Sequence, residues 1–322
     1  MDSLPHGGRL HAARRRFPGA PAPFLDLSTG INPHPYPFTS PPAEAWARLP
    51  EPEELIALQA AAAWAYGVLD PACVVAAPGT QALIQLLPRV LPQAGIVVVG
   101  PTYAEHAAAW RAAGTGIHSG LGEARAAVLC NPNNPDGARH SPGALALLQA
   151  GLDLLVVDEA FADFEPGCGA AAPCPAPGLV VLRSFGKAYG LAGLRLGFAL
   201  AEAGVAARLR AALGEWAVSG PAIAIGREAL ADEGWRSAAA VRAHGGAVRL
   251  DGVLRAAGFG IVGGTALFRL ASHPEAGAVA ERLGRAGILV RSFDSAPTWL
   301  RFGLPGCEAA WARLAAAATV AG

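Results

Sequence analysis

Six short apolar runs set the tightest limit on what this chain can fold into: CVVAA (73–77), IVVVG (96–100), AAVLC (126–130), DLLVVD (153–158), LVVLRS (179–184) and LGFAL (196–200). Each is apolar along its whole length rather than on alternate residues, as expected of a strand buried on both faces. Helical stretches near 80–91, 104–113 and 141–150 separate the first four runs. Strands that alternate with helices require crossover connections, so the pattern predicts an α/β fold with a mostly parallel central sheet covered by helices.

The flanking segments read differently. Residues 1–50 are rich in Pro, Gly and Arg with little periodicity, which predicts an amino-terminal arm and loops lying over a larger body. A large domain is expected over 51–215, opening with the helical EELIALQAAAAWAYG. Residues 216–322 predict a smaller α+β domain. It holds a long helical stretch over 221–257 interrupted near Gly234 or Gly245, strands in ALFRLA, ILVRSF and TWLRFG, and helices near 275–286 and 307–320. A length of 322 residues agrees with two lobes, at roughly 150 residues per domain.

Composition removes several classes of function. Although 52% of residues are hydrophobic, no apolar run reaches the roughly 18 residues of a membrane span. The formal net charge is zero, which argues against a nucleic-acid surface. Five cysteines (73, 130, 168, 174 and 307) show no CxxC spacing and no neighbouring histidines, so neither a metal site nor a disulfide framework is expected, and a reducing cytoplasm fits. Arg14-Arg15-Arg16-Phe17 is superficially similar to a twin-arginine export signal, but PGAPAP follows where an apolar stretch should stand.

In an open α/β sheet, ligands bind beyond the carboxyl ends of the strands. Lys187, in RSFGKAYGLAGLRLG, follows one such end and is the single lysine among 25 basic residues. Arginine replaces lysine as a solvated charge, but guanidinium cannot lose a proton and attack a carbonyl. Lys187 is therefore either a chance survivor or a required amine. Other strand ends leave similar choices. Pro78-Gly79-Thr80 opens a helix, as an ordinary start or as a phosphate cradle. Tyr103 follows IVVVG, as core or as a ring stacked on a flat ligand. NPNNPDG after AAVLC is turn chemistry that does not require the amide of Asn134. Asp158 ends DLLVVD, where a buried carboxylate needs a cationic or protonated partner unless it merely caps a helix. Ser184 and Arg195 can both bind phosphate. Jointly, these residues match pyridoxal 5′-phosphate.

In the order of these motifs the chain resembles the aspartate-aminotransferase fold type of pyridoxal-phosphate enzymes over nearly its whole length, close to histidinol-phosphate aminotransferases and threonine-phosphate decarboxylases. The resemblance implies that Lys187 carries the amine that holds the cofactor aldehyde. It assigns Asp158 to the pyridine nitrogen, Asn134 to the ring oxygen, Tyr103 to the ring face, and Gly79, Thr80, Ser184 and Arg195 to the phosphate. His6-Gly7-Gly8-Arg9 and DLSTGINP (26–33) are similar to the HGGN and DFSANINP segments of the decarboxylases. By that resemblance His6, Gly7, Gly30, Asn134, Arg291 and Arg301 bind substrate, with no metal involved, and a homodimer is implied.

Three departures stand out. Phe161, in DEAF, occupies the place of the DEAY tyrosine, Leu49-Pro50 stands where many relatives have Tyr-Pro, and Arg9 and Gly30 replace asparagines. The implied activity is decarboxylation of a phosphorylated amino acid, L-threonine O-3-phosphate, in cobalamin biosynthesis. Transamination of histidinol phosphate is the alternative, and a non-catalytic binding or scaffold protein a lesser one.

Overall fold

The computed structural model describes residues 7–169 and 176–319. In chain order, α1 (Leu10–Arg16) and β1 (Leu25–Asp26) precede α2 (Ala43–Ala47) and α3 (Pro52–Tyr66). Alternating elements follow: β2 (Val74–Ala77), α4 (Thr80–Val90), β3 (Gly95–Val98), α5 (Ala104–Ala112), β4 (Gly116–His118), β5 (Ala126–Cys130), α6 (Pro142–Ala150), β6 (Leu154–Asp158), β7 (Leu179–Ser184), α7 (Phe185–Ala188), β8 (Gly197–Ala201) and α8 (Ala203–Leu213). The chain continues through α9 (Gly220–Ala231), α10 (Glu233–Ala256), β9 (Gly260–Thr265), β10 (Phe268–Ser272), α11 (Ala276–Arg285), β11 (Ile288–Leu289), β12 (Arg291–Ser292), β13 (Trp299–Gly303) and α12 (Glu308–Ala318).

Two compact units result. One gathers residues 35–134 and 138–237; the other gathers the described residues up to 34, then 135–137 and 238–319. The first contains a seven-stranded sheet ordered β2-β8-β7-β6-β5-β3-β4, in which only β8 runs against the rest. All six runs read as strands are strands of this sheet. Their apolar character is explained by burial: every residue of β2, β5, β6 and β8 is buried. Leu83, Ile84 and Leu87 of α4, Trp110 of α5 and Leu209 of α8 close one face over Val75, Val128, Val156 and Val180. β4 adds an edge strand of three residues, too short to leave a sequence signal.

The second unit holds an antiparallel sheet ordered β12-β13-β10-β9 and a parallel pair of β1 with β11. β9 reads GIVGGT, and its glycines hide it from a strand pattern. They are there because backbones meet: a Cβ at Gly263 would lie 2.1 Å from the Asp136 carbonyl oxygen, and one at Gly264 2.3 Å from that of Phe268.

Two expectations change. The amino-terminal residues read as arm and loops contain α1 and α2. Three arginines in the last turn of α1 complement the negative end of its dipole. The long helical stretch breaks at Asp232, whose Oδ1 accepts from the Trp235 N–H at 2.8 Å, and α10 then runs unbroken through both Gly234 and Gly245.

Candidate active site

Sheet register brings the carboxyl ends of the parallel strands to one edge. Cys130 of β5 pairs with Asp158 of β6, and Asp158 with Leu182 of β7. Gly197 of β8 stands between Ala77 of β2 and Ser184 of β7. Gly197 must be glycine, because a Cβ there would come within 2.5 Å of the Thr80 amide nitrogen. This close approach sets the first turn of α4 against the stretch that carries Arg195. Gly79, at φ +85°, caps α4, and a Cβ on it would lie 2.7 Å from Nη2 of Arg195. Arg195 is itself left-handed at φ 56°, a costly backbone state for a residue with a Cβ, and its Nη1 donates to the Ala192 carbonyl oxygen at 3.2 Å. Gly79, Thr80 and Arg195 thus form one cluster of helix-terminal amides and a guanidinium, with the chemistry of a phosphate cradle. Ser184 lies in register beside it and Lys187 follows on α7.

Asp158 is 5% exposed, and its partner is His106, whose Nε2 lies 2.9 Å from Oδ2. The Ala160 N–H donates to the other oxygen at 3.0 Å. His106 stands one helical turn beyond Tyr103. Burial works against its charge, yet hydrogen bonds to Asp158 and to Cys130 outweigh that penalty and push its pKa up to about 10. His106, Cys130 and Asp158 offer atoms within 4.8 Å of one another, and the Thr102 hydroxyl donates to the Cys130 sulfur at 3.1 Å.

Tyr103 opens α5 and its hydroxyl donates to Gln81 Oε1 at 3.1 Å. Burial, with Glu105 and Asp158 adding to it, pushes its pKa up to about 12, so the phenol stays neutral. The NPNNPDG loop is held by Asn131, whose amide donates to the carbonyls of His140 and Cys168 and accepts the His140 N–H. Asn133 donates to the Pro101 carbonyl at 3.0 Å, and Asn134 beside it is half-buried. Arg183, near the end of β7, pairs with Glu159 at 2.7 Å and with Asp163, and lies 4.5 Å over the Tyr66 ring. Burial opposes its charge, but the two carboxylates raise its pKa, and the network ties the ends of β6 and β7 together.

The second unit holds the remaining named residues. His6 lies outside the described residues. A Cβ on Gly7 would stand 2.5 Å from the Ser28 carbonyl oxygen, and the Gly8 N–H donates to the Ser28 hydroxyl at 2.8 Å. Ser28 donates in turn to Asp26, and its carbonyl accepts from Arg301 at 3.0 Å. Gly30 is buried. Arg291 and Arg301 stand directly opposite on β12 and β13. Burial and then the like charge of Arg291 pull the Arg301 pKa down to about 10, against the pull of Asp26, and burial lowers that of Arg291. Two guanidinium groups opposed across a ladder repel, and an anion between them would relieve the cost.

Sequence reasoning missed His106, Gln81, Ser28 and the Arg183 network. The spacing of His106 from Tyr103 was a usable signal for the first. The others make contacts that appear only once the chain has folded.

Comparison with known proteins agrees with this geometry. Residues 43–318 match the aminotransferase class I and II family. The chain is 44% identical to a threonine-phosphate decarboxylase of Pseudomonas aeruginosa, covering 98% of this chain and 97% of that one. It is 43% identical to another from Sinorhizobium sp, covering 96% of each. In fold it is similar to a histidinol-phosphate aminotransferase of Sinorhizobium meliloti solved with pyridoxal 5′-phosphate, with a TM-score of 0.81 at 21% identity over 96% of this chain and 93% of that one. The chain belongs to the class I and II aminotransferase family, in the branch of the threonine-phosphate decarboxylases.

Proposed function

We infer that this protein is a pyridoxal 5′-phosphate-dependent carboxy-lyase that converts L-threonine O-3-phosphate to (R)-1-amino-2-propanol O-2-phosphate in cobalamin biosynthesis. The observation that carries this reading is the 43–44% identity to threonine-phosphate decarboxylases over nearly the full chain. What supports the cofactor is that a Cβ on Gly79 would collide with the guanidinium of Arg195, which stands at the amino end of α4, and that Asp158 is a buried carboxylate 2.9 Å from His106.

When bound, pyridoxal 5′-phosphate supplies an aldehyde for the substrate amine and a ring that accepts the electron pair left as CO₂ departs. Gly79, Thr80, Ser184 and Arg195 are assigned to its phosphate, Tyr103 to its ring face, Asn134 to its ring oxygen and Asp158 to its nitrogen. His106, 2.9 Å from Asp158, would hold that carboxylate in place beside the nitrogen. Lys187 would hold the cofactor through its amine and would supply a proton to the substrate's Cα. His6, Gly7, Gly30, Arg291 and Arg301 are assigned to the substrate, the arginines binding its acidic groups and turning the carboxylate to the bond-breaking geometry. Exposed Trp46, Leu49, Ile56 and Trp64, the last two on one face of α3, support a homodimer. Free cysteines among the described residues suit a reducing cytoplasm.

Incubation of the purified protein with the cofactor, phosphothreonine and 2-oxoglutarate is expected to release one CO₂ per substrate with no glutamate formed, from a species that sediments as a dimer. Stoichiometric amino transfer to 2-oxoglutarate would overturn the assignment in favour of an aminotransferase.

A further inference from the structure

His106, Cys130 and Asp158 come from α5, β5 and β6, and each is at most 5% exposed. Among the described residues they are the one set of three histidine, cysteine or acidic side chains whose donor atoms all lie within 4.8 Å of one another. We propose that these three side chains form a binding site for a zinc-class divalent cation, filled in the protein that carries no cofactor.

The donor set selects the ion. An imidazole nitrogen, a thiolate sulfur and a carboxylate oxygen suit a borderline-soft cation, whereas magnesium and calcium ask for oxygen alone and copper(I) for sulfur. Zinc bonds of about 2.0–2.3 Å set ligand atoms roughly 3–4 Å apart around a tetrahedral centre. Donors already inside 4.8 Å have only a small step to close. Charge balance favours the ion in so buried a place: a dication with one thiolate and one carboxylate is neutral as a unit, and escapes most of the penalty of a lone buried charge. On binding, the Cys130 thiol proton and the proton that His106 shares with Asp158 leave to solvent.

Outer contacts hold the ligands in place. The Ala160 N–H donates to Oδ1 of Asp158 at 3.0 Å while Oδ2 faces His106, and the Thr102 hydroxyl donates to the Cys130 sulfur at 3.1 Å. Such donors fix a ligand's orientation and, at a sulfur, favour the thiolate. Register completes the site, because Cys130 and Asp158 are paired neighbours on β5 and β6. The three ligands are far apart along the chain, which is why cysteine spacing gave no sign of a metal.

The ion has a consequence for the cofactor, and this consequence rests on the reading above that Asp158 serves the ring nitrogen. With Oδ2 on a dication, the carboxylate no longer attracts a protonated nitrogen. Ion and cofactor therefore exclude each other.

Cobalt(II) reports the site, because it takes the geometry of zinc and is coloured. Full-length protein freed of cofactor is expected to bind one equivalent of cobalt(II), with the visible bands of a four-coordinate ion and a near-ultraviolet thiolate-to-metal charge-transfer band, and to release it to zinc. Cys130→Ala is expected to lose the charge-transfer band, and His106→Gln to weaken binding by at least about tenfold, the lower end of what even an outer-shell partner is worth. Cys307→Ala, which removes an exposed thiol, is expected to keep both band and affinity. Cys130→Ser replaces the alanine variant should that one fail to fold. A charge-transfer band that is absent from wild type, or that survives in Cys130→Ala, overturns the proposal. At a zinc concentration about ten times its dissociation constant, half-saturation by pyridoxal 5′-phosphate, followed by absorbance, is expected to rise about tenfold in wild type and to stay unchanged in Cys130→Ala. Should the band depend on Cys130 while cofactor loading ignores zinc, the metal site stands and the assignment of Asp158 to the ring nitrogen is what fails.

Discussion

Each of the two units sets a pair of charged side chains against each other, fully buried in one and half-buried at Arg291 in the other, and the pairs are opposite in kind. His106 and Asp158 pair at 2.9 Å, so each meets an opposite partner inside the fold. Arg291 and Arg301 face each other across β12 and β13, and the neighbouring carboxylate, Asp26, does not offset burial: the Arg301 pKa is still pulled down to about 10. The first pair is an attraction made within the fold. The second is a like-charge pair, and under the proposed assignment an anionic substrate would relieve its repulsion and turn that energy into orientation. Permanent and ligand-dependent charge are kept on separate sets of elements.

Three measurements sharpen or break that contrast. The largest effect is expected for Arg301→Gln, with a loss of about 3 kcal/mol, roughly two orders of magnitude in kcat/KM for phosphothreonine. An unchanged kcat/KM would remove the arginine from the site. Next comes His106→Leu, which strands a buried carboxylate and should lower stability by about 2 kcal/mol in urea unfolding at pH 7. Because the folded pKa of His106 lies above its unfolded value, its stabilisation is complete below about pH 6.5 and disappears as pH rises through about 10. The gap between wild type and variant must therefore close between those limits, and a gap constant with pH would contradict an imidazolium. The smallest effect is expected for Arg291→Gln. Relief of like charge should raise the melting temperature of the ligand-free protein by about 1 °C and reduce the stabilisation it gains from added phosphate. A lower melting temperature would show that the arginines do not oppose each other.

Legibility in the sequence followed burial and locality. The strands of the seven-stranded sheet were readable because two covered faces demand unbroken apolar runs, as in AAVLC and LVVLRS. Residues at or just past the ends of those strands, such as Asp158 and Lys187, could be located by position alone. β9 was not readable, because the close approaches of Gly263 and Gly264 replaced the side chains that mark a strand. The break at Asp232 was placed only roughly, since glycines in a helix weaken it without saying where a cap will form. His106 was overlooked because a histidine on an apolar helix gives no sign of its partner, which lies 52 residues away.

By itself the amino-acid order determined an alternating α/β chain, the residues at the carboxyl ends of its strands, and the one lysine side chain. These depend on local periodicity and on which side-chain types exist at all. Only the tertiary structure decided that Asp158 is matched by an imidazolium, that Gly79 and Gly197 are glycines because Arg195 and Thr80 press against them, that two arginines oppose each other, and that a phenyl ring lies under the lysine. Those are contacts between residues distant along the chain, and their energies come from the distance and burial that packing imposes.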